Sequence, residues 1–371
     1  MKKILFATHE NLELTAVSKA MFLDVADYLE SELNYKTIIF SAAENKKITG
    51  RHFKFERKTQ GKIDFQSILA SIKAFFVFRQ ALKDVDLVVF RSYPSMALFS
   101  LIVKLKKKKI VFDTRGLFFD ELVDSGKVSL RWSKFFDFIE RNLLKISSTI
   151  ICVTNYQKSH YVEKYKLDPN NFLVIPNGAK KVPVHDDKSN NEDAISLCYL
   201  GSLVKWHAPE LVCGFCVELE KRDIKFKLDV ITKDTNGAHK YFSRLQSVKI
   251  YSHDYRNRPI RFDYGFCFIQ GGVSKDVCYP VKFNEYVASG TKVLALDNVL
   301  EVNKIIRKYD LGIVLKGKNI KEIVDQFLLS LRTTNTELNP LPYELTFDFQ
   351  LSQYASVLEN IFKDKVCSGT Y

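Results

Sequence analysis

Short, nearly uninterrupted apolar runs alternate with longer segments of helical period along most of the chain. Residues 3–7, 36–40, 86–90, 109–113 and 149–153 read as strands, and a helix is predicted over about 15–33. Helical stretches separate the later strands. Strands apolar on both faces belong in a parallel sheet covered by helices. Residues 172–178 close this half. Residues 180–193 are charged, rich in Asn and Asp and without period, and read as a linker. A second series starts at 195–200 and continues through 226–231, 262–269, 292–296 and 312–315. A last helical stretch, about 347–362, lies beyond the second sheet. The pattern predicts two doubly wound α/β halves with no repeat of sequence between them.

Composition fits this picture. At 371 residues the chain exceeds one comfortable core, and 46% hydrophobic with 27% charged residues is ordinary for a globular protein. The formal charge of +13 suits nucleic acid, an anionic bilayer or an anionic small substrate. No zinc-finger spacing or RNA-binding aromatic motif is evident, so no nucleic-acid partner is expected. Two segments mix apolar and basic residues. M-A-L-F-S-L-I-V over 96–103 runs into K-L-K-K-K-K over 104–109, and residues 130–145 combine Trp132, Phe135, Phe136 and Phe138 with cations. Each reads either as a core-facing helix with a solvated charge run or as an interfacial helix on a membrane. No uncharged apolar run approaches the ~20 residues that a spanning helix needs. The apolar start of the chain ends too early, at His9 and Glu10, for a signal peptide, so a cytoplasmic location is expected. Seven cysteines then read as free thiols, and Cys213 and Cys216, although spaced C-x-x-C, as buried small hydrophobes.

The most informative stretch is P-V-K-F-N-E-Y-V-A-S-G-T-K-V over 280–293. Pro280 opens a helix, Gly290 stops it, and a strand follows. Lys282 and Glu285 are three apart and share a face. The pair is either a surface ion pair or a ligand site in which lysine meets a diphosphate and glutamate a ribose diol. Gly201 follows one strand and Gly271 and Gly272 another, where backbone N–H groups can approach an anion. Asp84 and Asp86 spell D-x-D but precede a strand, so no metal site is expected.

The block 280–293 resembles the donor-site signature of GT-B glycosyltransferases, especially the retaining family 4 enzymes and their capsule and lipopolysaccharide relatives. V-I-P-N-G over 174–178, Y-L-G-S-L-V-K-W-H over 199–207 and F-D-Y-G-F over 262–266 are similar to further family segments, in matching order. The resemblance implies two Rossmann-like, doubly wound parallel-sheet domains facing a central cleft. Their bounds are an acceptor domain over 1–179, a linker over 180–193, a donor domain over 194–345, and a terminal segment 346–371 crossing back to the first domain. It implies a glycosyltransferase of the hexosyltransferase type, with a nucleotide-sugar as donor substrate and no obligatory cofactor or metal. Donor contacts are expected at Gly201, Ser202, Lys205, Gly271, Gly272, Lys282, Phe283 and Glu285. Lys205 and Lys282 would carry the leaving diphosphate as the main catalytic demand. In F-D-T-R-G over 112–116, Asp113 is a further catalytic candidate; His9, Asp113, Arg115 and Glu121 are the acceptor-side candidates. The alternative for Asp113 is a helix cap, and for His9 an ordinary loop residue. Family members often carry a second glutamate eight positions before the one matching Glu285, where this chain has Val277. The implied acceptor is a surface-polysaccharide or lipid-linked glycan, reached from the inner face of an anionic membrane. Two rival readings are a GT-B sugar-nucleotide epimerase and a catalytically silent, membrane-associated binding protein.

Overall fold

The computed structural model describes residues 1–12, 20–43, 52–56, 65–180, 194–252, 261–332 and 340–367. The chain divides into two compact units, Met1–Ile175 with Leu351–Tyr371, and Pro176–Gln350. The divisions fall at 175/176 and 350/351, a few residues from the expected 179/180 and 345/346. Most of the expected linker, residues 181–193, lies outside the described residues.

The first unit holds β1 (Lys3–Asn11), β2 (Lys36–Ala43), β3 (His52–Glu56), β4 (Leu87–Phe90), β5 (Lys109–Asp113), β6 (Thr149–Cys152) and β7 (Phe172–Val174). They form one sheet in the order β3-β2-β1-β4-β5-β6-β7, every pairing parallel. The second unit holds β8 (Ile195–Leu200), β9 (Phe226–Thr232), β10 (Val248–Ser252), β11 (Tyr264–Cys267), β12 (Lys292–Leu296) and β13 (Gly312–Leu315). Their order is β10-β9-β8-β11-β12-β13, again parallel throughout. Strand order reverses between β1 and β4 and between β8 and β11. Loops leaving the carboxyl ends of such strand pairs diverge and leave room for a ligand.

The apolar runs are apolar because helices cover both faces. All four residues of β4 and of β11 are buried. In the first core Phe40 packs edge-on to Phe78, and Phe78 stacks on Phe99 with centroids 4.4 Å apart. In the second, the helix Pro209–Lys221 turns Val212, Phe215, Cys216 and Leu219 inward at helical spacing. Phe215 meets Phe266 and Phe327 edge-on. Cys213 and Cys216 are buried in this core, and Cys213 Sγ lies 3.0 Å from the Tyr241 carbonyl.

The last helix, Phe347–Cys367, joins the first unit from Leu351 onward. The Lys109 ammonium donates to the Ile361 carbonyl at 2.8 Å, and Phe362 packs on Tyr35. Among the described residues no helix is long and apolar enough to cross a membrane. The two ambiguous segments carry an apolar face on each side. In the helix Tyr93–Leu105, Met96, Phe99 and Val103 are buried while Leu98, Leu101 and Leu105 are exposed. Next to it, the turn Leu130–Trp132 and helix Ser133–Ile146 bury Leu143 and Leu144 and expose Trp132, Phe135 and Phe138.

Candidate active site

In the second unit, the loop after β8 and the loop after β11 lie side by side at the strand-order reversal. Gly201 leaves β8, and the turn Lys205–His207 leads into the 13-residue helix Pro209–Lys221. The Gln270 N–H donates to the Trp206 carbonyl at 2.8 Å, tying the two loops together. Tyr286, on the helix Val281–Ala288, braces the same place from below. Its hydroxyl accepts from the Leu200 N–H at 2.8 Å and lies 3.2 Å from the Cys198 carbonyl, which can accept from it.

Lys282 sits on that helix and is buried, 5% exposed. Its ammonium donates to the Phe268 carbonyl at 3.2 Å and lies 5.5 Å from the centre of the Tyr199 ring. Burial lowers its pKa. Phe283, next to it, is wholly buried and packs on Tyr279, so its part is to fix the helix. Glu285 is half-buried on the same helix, and its charge supports that of Lys282. Asn284 is buried, and its side-chain amide donates to the Asn177 carbonyl at 2.7 Å. Asn177 in turn donates to the Tyr279 carbonyl at 3.1 Å. Asn177 thereby ties down the lysine–glutamate helix within the second unit.

Lys205 is exposed, and no described contact joins it to Lys282. Two residues on, His207 enters the site. The Ser202 carbonyl lies 2.8 Å from its Nδ1 and can only accept, so Nδ1 carries the proton. Burial first, then the charges of Lys282 and Lys275, push the His207 pKa down to about 4, so the ring is neutral at pH 7. Ser202 itself is exposed, with its hydroxyl 3.1 Å from the same nitrogen. Lys275 was not singled out in the sequence. It is 7% exposed, and its ammonium lies 4.5 Å from the centre of the Trp206 ring. Its stem crosses Gly271, where φ is +151° and a Cβ would come within 2.6 Å of Lys275 Cγ. Gly272 is extended and precedes the short helix Val273–Asp276. Val277, at the position of the family's second glutamate, is buried.

A cavity of about 580 Å³ opens beside this cluster over the ends of β12 and β13. Gln270 and Gly271 line it on the cluster's side, with Asp297, Asn298, Lys316 and Asn319 farther away. It meets the cationic cluster at Gly271 rather than coinciding with it.

The first unit gathers the acceptor-side candidates differently. Asp113 ends β5 and is 1% exposed. It is not a helix cap: its carboxylate meets the Arg115 Nε at 2.7 Å and accepts a short hydrogen bond from the Tyr354 hydroxyl. Arg91 approaches it at 3.9 Å. Arg115 takes a left-handed conformation, φ +54°, and donates to Tyr354 Oη at 3.1 Å. Burial works against the Arg115 charge, but Asp113 and Tyr354 more than offset it and raise its pKa. Asp113 and Arg115 therefore hold the last helix to the first unit, and Arg91 and Tyr354 are members of the network that the sequence did not signal. His9 lies within β1, and its N–H donates to Ser92 Oγ at 3.2 Å. Glu121 lies on the helix Phe118–Asp124, its carboxylate facing Gly116.

Residues 21–180 match the model of Glycosyltransferase Family 4. No curated protein sequence matches the chain. Among solved structures, sucrose-phosphate synthase from Thermosynechococcus elongatus is similar at a TM-score of 0.70 and 12% identity, over 98% of this chain and 100% of that one. Anabaena HepE in complex with UDP and glucose is similar at 0.68 and 11%, over 97% and 100%. The lipopolysaccharide outer core galactosyltransferase WaaB is similar at 0.65 and 13%, over 96% and 99%. The fold is GT-B. The family match covers residues 21–180, and the likeness to these solved structures extends the GT-B fold over nearly the whole chain.

Proposed function

We propose that the protein moves a hexose-like sugar from a nucleoside diphosphate donor, with retention, onto a surface-polysaccharide or lipid-linked glycan. The observation that carries this reading is buried Lys282, with the half-buried Glu285 on the same helix, held at the β8/β11 reversal beside the joined Trp206 and Gln270 loops. In transfer, the bond from the anomeric carbon to the diphosphate breaks and its electron pair leaves with the phosphate oxygen. The acceptor oxygen forms the new bond, and its proton goes to the departing phosphate or to solvent. The protein's main task is to hold positive charge where that diphosphate forms. Lysine ammonium groups supply it here, which makes the proposed transfer independent of a metal. Glu285 takes the ribose diol. HepE, which holds UDP and glucose, supports a nucleotide-sugar donor, and WaaB supports a surface-glycan acceptor.

A lipid-linked acceptor fits the exposed Leu98, Leu101, Leu105, Trp132, Phe135 and Phe138, which lie among exposed Lys104, Lys106, Lys107, Arg131 and Lys134. We read this face as the contact with an anionic membrane.

The test is thermal-shift binding of UDP, GDP, ADP, CMP and their common sugars to the wild type and to Glu285→Ala. One base is expected to stabilise the wild type and to lose about 10-fold or more in affinity in the variant. A bound donor that is turned over only with a glycan acceptor supports transfer. Conversion of the donor sugar without acceptor points instead to an epimerase, and stabilisation by none of the panel to a silent binding protein.

A further inference from the structure

We propose that Glu140 is a proton-operated switch: its protonation decides whether a chain of tyrosine hydroxyls holds the turn at Gly116 to the helix Ser133–Ile146. The switch lies wholly in the first unit and is independent of the donor reading above.

Glu140 shares the buried face of that helix with Leu143 and Leu144 and is 0% exposed. The Tyr165 hydroxyl donates to its Oε2 at 2.5 Å, while its Oε1 is buried and receives no hydrogen bond among the described residues. The Tyr93 hydroxyl is the polar group beside the carboxyl. Tyr93 shares a short hydrogen bond with Tyr161, on the helix Asn155–Tyr165, and Tyr161 donates to the Gly116 carbonyl at 3.0 Å. All three tyrosines are buried.

Each phenol has one hydrogen to give. Tyr161 directs its own to Gly116, so the hydrogen between the two phenols comes from Tyr93. None is then left for Glu140 Oε1, unless the acid carries the proton and donates it to Tyr93. The contacts present are those of a neutral acid, running from Glu140 through Tyr93 and Tyr161 to Gly116. Loss of the proton reverses the chain. A carboxylate draws the Tyr93 hydrogen to itself, Tyr93 then accepts from Tyr161, and the Gly116 carbonyl loses its donor. The surroundings favour the neutral form. Burial raises the Glu140 pKa against the pull of Tyr165, Tyr93 and Lys164, and the Asp120 charge adds to the rise. Lys164 is shared with two other carboxylates, Asp120 at 3.2 Å and Asp137 at 2.9 Å, and His160 faces Asp120 at 3.7 Å. The turn that is held lies between Arg115 and the helix Phe118–Asp124, and the Glu121 carboxylate faces it. The outward face of the helix Ser133–Ile146 carries Phe135 and Phe138. The chain therefore joins an outward-facing helix to the segment that the sequence marks as acceptor-side.

Infrared spectra of the full chain, from about pH 5 to about pH 9, read the carbonyl stretch of a protonated carboxyl, with Glu140→Gln as the blank. In the same samples isotope-labelled glycine carbonyls are followed by NMR, and Gly116→Ala identifies the Gly116 resonance. The wild type is expected to show a Glu140-dependent band near pH 5, where an ordinary glutamate is already mostly ionised. The band should fade as pH rises, and the Gly116 resonance should move with the same midpoint. In Glu140→Gln, whose amide offers one donor and one acceptor in the same places, the resonance keeps its low-pH position. Tyr161→Phe gives the discriminating sign. It frees the Tyr93 hydrogen for the carboxylate, so the midpoint should fall by about 1 in pH or more, the effect of one hydrogen bond to a charged group. A carboxyl that is only buried would keep its midpoint or raise it. Absence of the band near pH 5 overturns the proposal, as does a band that persists to about pH 9 or a Gly116 resonance that does not follow it. Should Tyr161→Phe fail to fold by circular dichroism, the wild-type band and the Gly116 resonance, set against Glu140→Gln, decide alone.

Discussion

His207 is a residue whose charge state is set by its neighbours, and that makes its contribution to stability depend on pH. Its folded pKa, about 4, lies below the ~6.5 of an unfolded histidine. Between these values the unfolded chain takes up a proton that the folded site resists, so stability falls as pH drops through this window and is complete above it. The full gap is an upper bound; with the ring partly exposed, about 1–2 kcal/mol is expected. Asp229 acts in the opposite sense. Burial pushes its pKa up to about 6 despite Lys249 and Lys227, so its contribution is present at low pH and lost as pH rises through that value. The wild type alone therefore mixes two slopes. Comparing urea midpoints of wild type and His207→Gln from about pH 4 to about pH 7 isolates the histidine. The variant is expected to gain relative stability toward pH 4; a constant difference across the range would show that His207 is not held neutral.

At the scale of elements, the close approach of β11 to the helix Val281–Ala288 is the joint on which the site depends. A Cβ at Gly265 would stand 2.3 Å from the Tyr286 ring, far inside contact distance. Gly265→Ala must push the ring away and with it the hydroxyl that accepts from Leu200 and meets the Cys198 carbonyl. We expect a loss of about 2–4 kcal/mol, from overpacking plus buried backbone groups left without a partner. The measurement is the denaturant midpoint, with nucleotide binding lost in parallel; a midpoint unchanged within about 0.5 kcal/mol would mean that this joint tolerates movement. Strands such as β4 and β11 were readable because burial on two faces leaves no charged residue in them. The two strands that sequence did not reveal, β3 and β10, are both edge strands. Their residues, H-F-K-F-E and V-K-I-Y-S, alternate apolar with polar because a half-covered strand needs no more. The site shows the same limit. The lysine and glutamate of residues 280–293 stood out through their spacing on one helix. Lys275 owes its place to a glycine four residues earlier and a tryptophan on another loop, a relation that no local spacing encodes. Asp113 and Arg115 likewise looked like free strand-end chemistry until Tyr354, 241 positions away from Asp113, supplied their partner.

The whole molecule carries its formal charge of +13 unevenly in kind as well as number, because part of it surrounds exposed aromatic and aliphatic side chains. The helices Tyr93–Leu105 and Ser133–Ile146 pack on one another and bury one apolar face each, yet Leu101 is 67% exposed and Phe138 66%. A helix that only covers a sheet has no use for a second apolar face. Lipid provides one. Sinking a single aromatic or leucine side chain into the acyl boundary contributes about 1.5–3 kcal/mol, and each lysine near an anionic surface about 1 kcal/mol. Neither suffices alone, and together they give binding that is strong on anionic vesicles and weak on neutral ones. The expected result is sedimentation of the wild type with phosphatidylglycerol-containing vesicles and not with pure phosphatidylcholine. Phe135→Ser with Phe138→Ser should lower partitioning by about 10-fold or more at any salt concentration. Replacing Lys104, Lys106 and Lys107 by glutamine should instead weaken binding chiefly at low salt, since screening removes that term by about 0.5 M. Nucleotide binding serves as the internal control, because these residues belong to the first unit and the proposed donor residues to the second. Vesicle binding that survives both sets of changes would remove this face from the reading, and the soluble glycan would become the acceptor to test.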